Sequence, residues 1–460
     1  MASPQVNALR GLLGELRIFL FFCKIFGCAP VYINSENTRV IVSRKAKFYN
    51  LSVALVLLFY TLYDLKVRLT DKTKYSDRLS LFCDLCSLIF ATSAALTFIL
   101  CSCTLKQRDV DTFCLRLISM DTYMNHIKHT ALLRLGSSHK RATASLSVYF
   151  TVATGYSFFL IEKSYYFLPV MRVLYIQALT NIITIQFLVF NLLARRGFGQ
   201  VNKYLLQLFG MHTEDVLTIK ITEALCSYSV NKASQREKYL FVSYIHLHTT
   251  SIKTDDETPF NEALQNYEIL LTRKSFKLLR MLRKVYCLLH QTALSVNNAY
   301  GVQNLVEISS YFVGIVVNMH LLAVSVFDSG GSLREPLKTH KLLRLSLWTG
   351  LMVLRLMIIA YSSEMIVQEA NRTQRLVTKL QMLPVPAGSG CQEELQLFEE
   401  QLARSPLHYS AAGFFTLDVS LLKSFVAAIT TYLVILIQLE IPDTNKQQYN
   451  VTGSVSQGGG

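Results

Sequence analysis

Charged side chains are scarce in this 460-residue sequence, where Asp, Glu, Lys and Arg make up 17% against roughly 25% in soluble domains. The length alone would suggest two or three water-soluble domains, but so little charge leaves them poorly coated. Catalytic signatures are missing too. No Gly-x-Ser-x-Gly elbow, Walker loop or His-Glu-x-x-His pair occurs, which argues against an enzyme and leaves no cofactor to hold. A four-ligand metal set is lacking as well: Cys83 and Cys86 have half a zinc spacing, yet Cys83 lies in an apolar run and His126 and His129 lie in a polar loop, so no metal is expected. None of the ten cysteines falls in a segment assigned below to the outside, so no structural disulfide is expected.

Long apolar runs are abundant instead. Hydrophobic residues make up 51% of the chain and the mean hydropathy is +0.31. A helix needs about 20 apolar residues to cross a hydrocarbon core about 30 Å thick, and seven runs qualify: Phe48 to Leu65, Leu79 to Cys103, Thr143 to Ile161, Phe167 to Ala194, Tyr300 to Phe327, Lys341 to Ala370 and Leu417 to Leu439. Barrel strands would be half as long and would alternate, so the runs are helical. The stretch Gly11 to Cys28 is interrupted by Glu15, Arg17 and Lys24 and ends before Pro30; it reads as an amphipathic helix at the interface.

The net charge of +15 would raise the question of nucleic acid in a soluble protein. Its distribution points to a membrane instead. One set of flanks carries 32 Lys and Arg and the opposite set 9; without the long stretch 195–290 the ratio is still 18 to 9. Positive residues collect on the cytoplasmic side, which puts the N-terminus inside and, after seven spans, the C-terminus outside. Of three glycosylation sequons only Asn450-Val451-Thr452 then lies outside. The expected fold is an all-α membrane protein. Its segments are a cytoplasmic N-terminus with the interfacial helix (1–47), helices 1–4 (48–194), a cytoplasmic segment (195–299), helices 5–6 (300–370), a cytoplasmic loop and short helix (371–416), helix 7 (417–439) and an outer tail (440–460). A G-protein-coupled receptor has the reverse orientation, and its Asp-Arg-Tyr and Asn-Pro-x-x-Tyr marks are absent.

The last run carries the most specific pattern. Ser424, Thr431 and Gln438 recur every seven residues and so share one face with a drift of about 20° per heptad. Small Ala427 and Ala428 lie near that face. A polar stripe on an aliphatic span avoids lipid, so it faces water or another helix. The run ends in Thr431-Tyr432, five aliphatic residues and Gln438-Leu439. This resembles the C-terminal signature of the insect gustatory receptors, Thr-Tyr, five hydrophobics, Gln-Phe, with Leu439 in place of the Phe. The approach from His408 to Asp418 is similar as well.

That resemblance implies a tetrameric, non-selective cation channel in the plasma membrane, gated by a small-molecule tastant, whose last helix lines a shared pore. It implies pore residues Ser424, Thr431, Gln438, Leu439 and Glu440, with Asp443 just beyond as a second acid. The anchor between subunits would form from the cytoplasmic ends of helices 4 to 7, with Glu307, Arg355, Glu364 and Lys423 pairing inside it. The ligand pocket would lie in the outer half of helices 1 to 6. Threading the topology places Asp84, Tyr156, Phe159, Arg172, Tyr175, Gln177, Asn318, His320 and Trp348 there. Snorkelling of Arg172 and an interfacial belt role for Trp348 stay open as alternatives. The sugar-responsive branch often has Glu after the signature Tyr, and Leu433 stands there instead, which resembles the bitter or fructose-type branches; bitter plant compounds are the favoured class, with a fructose-type or other sugar as the alternative. A seven-helix metabotropic receptor is the reading from another class. Lipid is the other expected partner, nucleic acid is not, and assembly with related subunits stays open.

Overall fold

The computed structural model describes residues 40–70, 78–104, 167–209, 257–327, 335–383 and 390–440 as continuous stretches, with shorter pieces elsewhere. Within them lie seven main helices: α1 (Arg44–Thr70), α2 (Arg78–Thr104), α3 (Phe167–Leu208), α4 (Glu257–Phe327), α5 (Glu335–Gln381), α6 (Cys391–Arg404) and α7 (Ser420–Glu440). Two small antiparallel hairpins accompany them: β1 (Val31–Ile33) with β2 (Val40–Val42), and β3 (Ser410–Ala411) with β4 (Phe415–Thr416). Six of the helices, α1 to α5 and α7, are long and apolar enough to cross a membrane. The run Thr143 to Ile161 and the stretch Gly11 to Cys28 lie almost entirely outside the described residues.

Hydroxyl-bearing residues fit these spans because their side chains satisfy themselves on the preceding turn. Thr92 donates to the Leu88 carbonyl at 2.8 Å and Ser102 to that of Ile99 at 2.6 Å. Three helices run well beyond any span. The 71 residues of α4 reach about 105 Å at about 1.5 Å each, and α3 and α5 have 42 and 47 residues. Their extensions project beyond the apolar windows as long helical rods.

The main core joins these extensions to α6 and the second hairpin. Phe187, Phe198 and Leu205 of α3 pack with Leu279, Leu282 and Val285 of α4, Leu376 and Leu380 of α5, and Leu395 and Phe398 of α6. Helix α6 is amphipathic, burying Cys391, Leu395, Phe398 and Leu402 at the spacing of one helical face. Its Glu394 accepts from Arg283 of α4 at 2.6 Å, fixing the short helix to the long one. A second cluster holds the other end together, with Ala54 and Leu57 of α1, Ala95, Phe98 and Ile99 of α2, and Leu179 and Ile183 of α3.

The base of α7 is built with care. Ala412 and Gly413 adopt φ of 50° and 81°, the two left-handed positions of a type I′ turn. The hairpin lies on α4 where Gly301 leaves room: a Cβ there would meet the Ala412 nitrogen at 3.2 Å. Asn297 of α4 accepts from the Ser410 amide at 3.0 Å. Asp418 then caps α7, accepting from the Leu421 amide at 3.1 Å and from the Thr416 hydroxyl at 2.9 Å, with Ser420 as a further donor.

Replacing Asp418 by Ala is expected to cost the first turn of α7 about 1 kcal/mol, read as faster amide exchange from residues 420–423 in full-length protein. The Asp418 carboxyl is held below its usual range, chiefly by the Ser420 hydroxyl. A lowered folded-state value means that the cap is complete at neutral pH and is lost only as acid protonates it, below about pH 4. The wild-type protection of that turn, corrected for intrinsic exchange, is therefore expected to hold down to that point, whereas the variant lacks it throughout.

Candidate functional site: an ion-lined cavity and an uncovered helix

Where the C-terminal end of α1 meets the N-terminal ends of α2 and α3, three ion pairs join four charged side chains into a lattice. Arg172 of α3 donates to Asp64 of α1 at 2.7 Å. Arg68 of α1 also reaches Asp64, at 3.2 Å, and pairs with Asp84 of α2. Two guanidiniums and two carboxylates leave no net charge. Burial of such groups in an apolar span is costly unless every charge has a partner, which is why they sit together.

The lattice forms the mouth of a cavity of about 180 Å³ between α2, α3, α4 and α5. Exposure falls inward: the Asp84 side chain keeps 35%, that of Arg172 only 4%. At the floor stand Arg355 of α5 and Glu307 of α4, exposed by 1% and 2%. Arg355 donates to Asn181 at 2.9 Å and to Gln177 at 3.2 Å, both on α3, and interacts with Glu307 and Tyr311. Tyr311 donates to one oxygen of Glu307. The other, Oε2, has no hydrogen-bond partner, and neither has Arg172 Nε. Leu88, Ile176, Trp348 and Met352 give the walls their apolar share.

Helix α7 is the opposite case. No residue of its membrane-length portion is fully buried within the chain. It touches the rest of the subunit along one side through Leu421, Leu422, Phe425 and Ile429. Phe312 of α4 meets two of its rings edge-on, Phe425 at 5.3 Å and Tyr432 at 5.7 Å. At its base Glu364 of α5 accepts from the Val419 amide at 2.8 Å. That carboxylate stands at the positive end of the helix dipole. Ser424, Thr431 and Gln438 are all exposed, on the face turned away from these contacts.

Of the residues expected to line a pocket, Arg172, Trp348, Asp84 and Gln177 do so. Tyr175 instead donates to the Phe26 carbonyl at 2.9 Å and stacks on the Phe26 ring. Asn318 and His320 are not among the lining residues, and Tyr156 and Phe159 lie outside the described residues. Glu307 and Arg355, expected in the anchor, belong to the cavity floor; Glu364 ties α5 to α7, and Lys423 is exposed on α7. The backbone of α7 includes Leu439 and Glu440, whose side chains lie outside the described set, as does Asp443. Sequence reasoning missed Arg68, which sits at the end of an apolar run and read as a loop charge. Its spacing of four from Asp64 was the available signal.

A family model described as 7tm chemosensory receptor matches residues 16–441. Two Drosophila melanogaster relatives match shorter segments: gustatory receptor 2a, 25% identical over 178 residues, and gustatory receptor 28b, 26% identical over 171. These matches cover 35% and 37% of this chain and span 41% and 36% of the relatives' own lengths. Among solved structures the chain is similar to the insect olfactory receptor OR5 from Machilis hrabei, with a TM-score of 0.58 at 10% identity over 94% of this chain and 99% of that one. The same receptor in complex with eugenol aligns with a TM-score of 0.56 at 11% identity over the same shares. At this identity the likeness is one of fold.

If the lattice holds the mouth by charge balance, Arg172→Met leaves the buried Asp64 carboxylate and the half-buried Asp84 carboxylate on one guanidinium. Breaking a buried pair costs on the order of 3–5 kcal/mol, so thermal unfolding of the detergent-purified variant should move well below wild type. Adding Asp64→Asn restores balance and should recover most of the loss. Equal unfolding of all three proteins would mean that the charges are not coupled.

Proposed function

The chain belongs to the 7tm chemosensory receptor family, and from that premise we propose that it is a gustatory receptor that is itself a tastant-gated cation channel. It is a multi-pass membrane protein and a receptor rather than an enzyme. In the proposed arrangement its N-terminus is cytoplasmic, its C-terminus is outside, and four copies in the plasma membrane place their α7 helices around one axis. The observation that carries this reading is the uncovered face of α7, where Ser424, Thr431 and Gln438 are exposed while Leu422, Phe425 and Ile429 pack on the subunit. Hydroxyl and amide groups gain little from acyl chains and more from water, so a shared aqueous axis is the favourable place for that stripe. Leu439 and Gln438 would make the outer constriction, and Glu440 with Asp443 would add rings of carboxylate that favour cations.

The tastant would bind in the cavity that Arg68, Asp84 and Arg172 enclose. A solved receptor of this fold holds eugenol, which supports a small-molecule ligand here. Helix α4 faces both sites: Tyr311 lines the cavity, and its neighbour Phe312 packs on Phe425 and Tyr432 of α7. The base of α7 stays fixed through Glu364 and Asn297 while the shaft above it is held by few contacts. A ligand opens such a channel only by binding the open arrangement more tightly than the closed one. Leu433 fits the bitter and the fructose-type branches alike; bitter plant compounds are the favoured tastant class, with a fructose-type sugar as the alternative.

Purified full-length protein in a plain lipid bilayer, with no added G protein, tests the channel itself: it should carry cation current that depends on ligand. In the same assay, cysteine placed at 431 or 438 should make the current sensitive to a water-soluble thiol reagent, and cysteine at 429 should not. Equal reactivity on both faces would contradict a pore lined by the stripe.

A further inference from the structure

The interior between the cavity and the foot of α7 carries more polar groups than an apolar span needs. Along α4, Tyr300, Asn304, Glu307 and Tyr311 follow at i, i+4, i+7 and i+11, the spacing of a single helix face, and Gln303 lies on its shoulder. Gln303, Asn304 and Glu307 are exposed by 3%, 1% and 2%. Groups at that depth have no bulk water to turn to, so each must be met from within.

Some of them are met. Tyr300 donates to Gln186 of α3 at 3.0 Å, and Tyr311 donates to Glu307. Others are not: Gln303 Nε2, Asn304 Nδ2 and Glu307 Oε2 have no hydrogen-bond partner. Two donors thus stand one helical turn from an acceptor without reaching it. Residues three and four apart on a helix have Cβ atoms about 5–6 Å apart. One water molecule bridges such a gap, accepting from an amide and donating to a carboxylate. A metal cation fits less well, because Arg355 already stands beside Glu307 and the amides turn donors rather than oxygens to the gap.

The line continues away from the cavity. The Tyr409 hydroxyl is also unpartnered, on a residue exposed by 2%. Its ring packs on Phe187 at 6.2 Å, and Phe187 meets Tyr300 at 5.5 Å. The carbonyl of Ser410, the next residue, comes within 3.7 Å of where a Cβ of Gly301 would stand. Tyr409 therefore lies at the level of the α4 turn that precedes Asn304. Its own carbonyl accepts from the Leu417 amide at 2.9 Å, closing the hairpin that carries α7.

The geometry points to a binding site for an internal file of water molecules, held by Glu307, Gln303, Asn304 and Tyr409, that runs from the cavity floor to the foot of α7. Glu307 also lines the cavity, which supplies the water at that end. The site depends neither on what the cavity binds nor on whether the chain conducts.

X-ray hydroxyl-radical footprinting of the full-length protein in lipid nanodiscs tests it, since radicals made from a bound water oxidise the side chain beside it where bulk water has no access. With a bulky radical scavenger in the bulk phase, Tyr409 should oxidise several-fold faster, relative to its intrinsic reactivity, than Phe398, a fully buried ring packed on Tyr286. Asn304→Leu should bring Tyr409 down to the Phe398 level and lower the melting temperature. Asn304→Ser, which keeps a polar group and leaves room for water, should hold both close to wild type. Oxidation of wild-type Tyr409 no faster than that of Phe398 would overturn the inference. An Asn304→Leu variant that melts at or above wild type would do the same, because replacing an unmet amide in a dry interior is a gain. Should that variant fail to fold, Gln303→Leu and the wild-type footprint give the same readings.

Discussion

Inside a membrane every polar group must find its partner within the protein or in water that the protein encloses, and this requirement shapes both sites described above. The Asp64, Arg68, Asp84 and Arg172 lattice is neutral, and each member pairs across helices. It draws α1, α2 and α3 together at one end of the bundle. Two of the buried polar atoms left without a hydrogen-bond partner, Glu307 Oε2 and Arg172 Nε, belong to residues that line the cavity. The stripe of α7 is a second case: Thr431 donates to the Ala427 carbonyl at 3.0 Å, yet Ser424, Thr431 and Gln438 all stay exposed in their own subunit.

Helix α4 connects the two. Along one stretch it carries Asn297, which holds the β3–β4 hairpin; Gly301, which lets that hairpin approach; Glu307 and Tyr311, which face the cavity; and Phe312, which meets α7. A single rigid rod thus touches the ligand site, the foot of the last helix and its shaft. Helix α5 adds a second link, with Arg355 in the cavity and Glu364 at the foot of α7. Small changes at the cavity floor can therefore reach α7 without passing through a loop.

The spans were legible because bilayer thickness sets a run length that composition displays directly. Six runs became helices and the seventh falls outside the described residues. The heptad of Ser424, Thr431 and Gln438 was legible for a similar reason, as a period written into one helix. Partners across helices were not. Arg172 and Asp64 are 108 positions apart, and Arg355 and Asn181 are 174 apart, distances over which a single sequence carries no pairing signal. The place of Glu307 and Arg355 beside the cavity, with Arg355 bonded to Asn181 and Gln177 of α3, depends on the same cross-helix packing and was not legible either. The hairpin before α7 rests on left-handed Ala412, a residue whose type gives no warning of that conformation.

The central claim is that α7 is uncovered in one subunit because other subunits complete its surroundings. Counting copies tests it most directly: the full chain carrying one fluorophore is placed in a membrane at low density, and photobleaching steps are counted in single spots. The account predicts a distribution dominated by four steps. Spots that bleach in one step, at a density where labelling is complete, would contradict it.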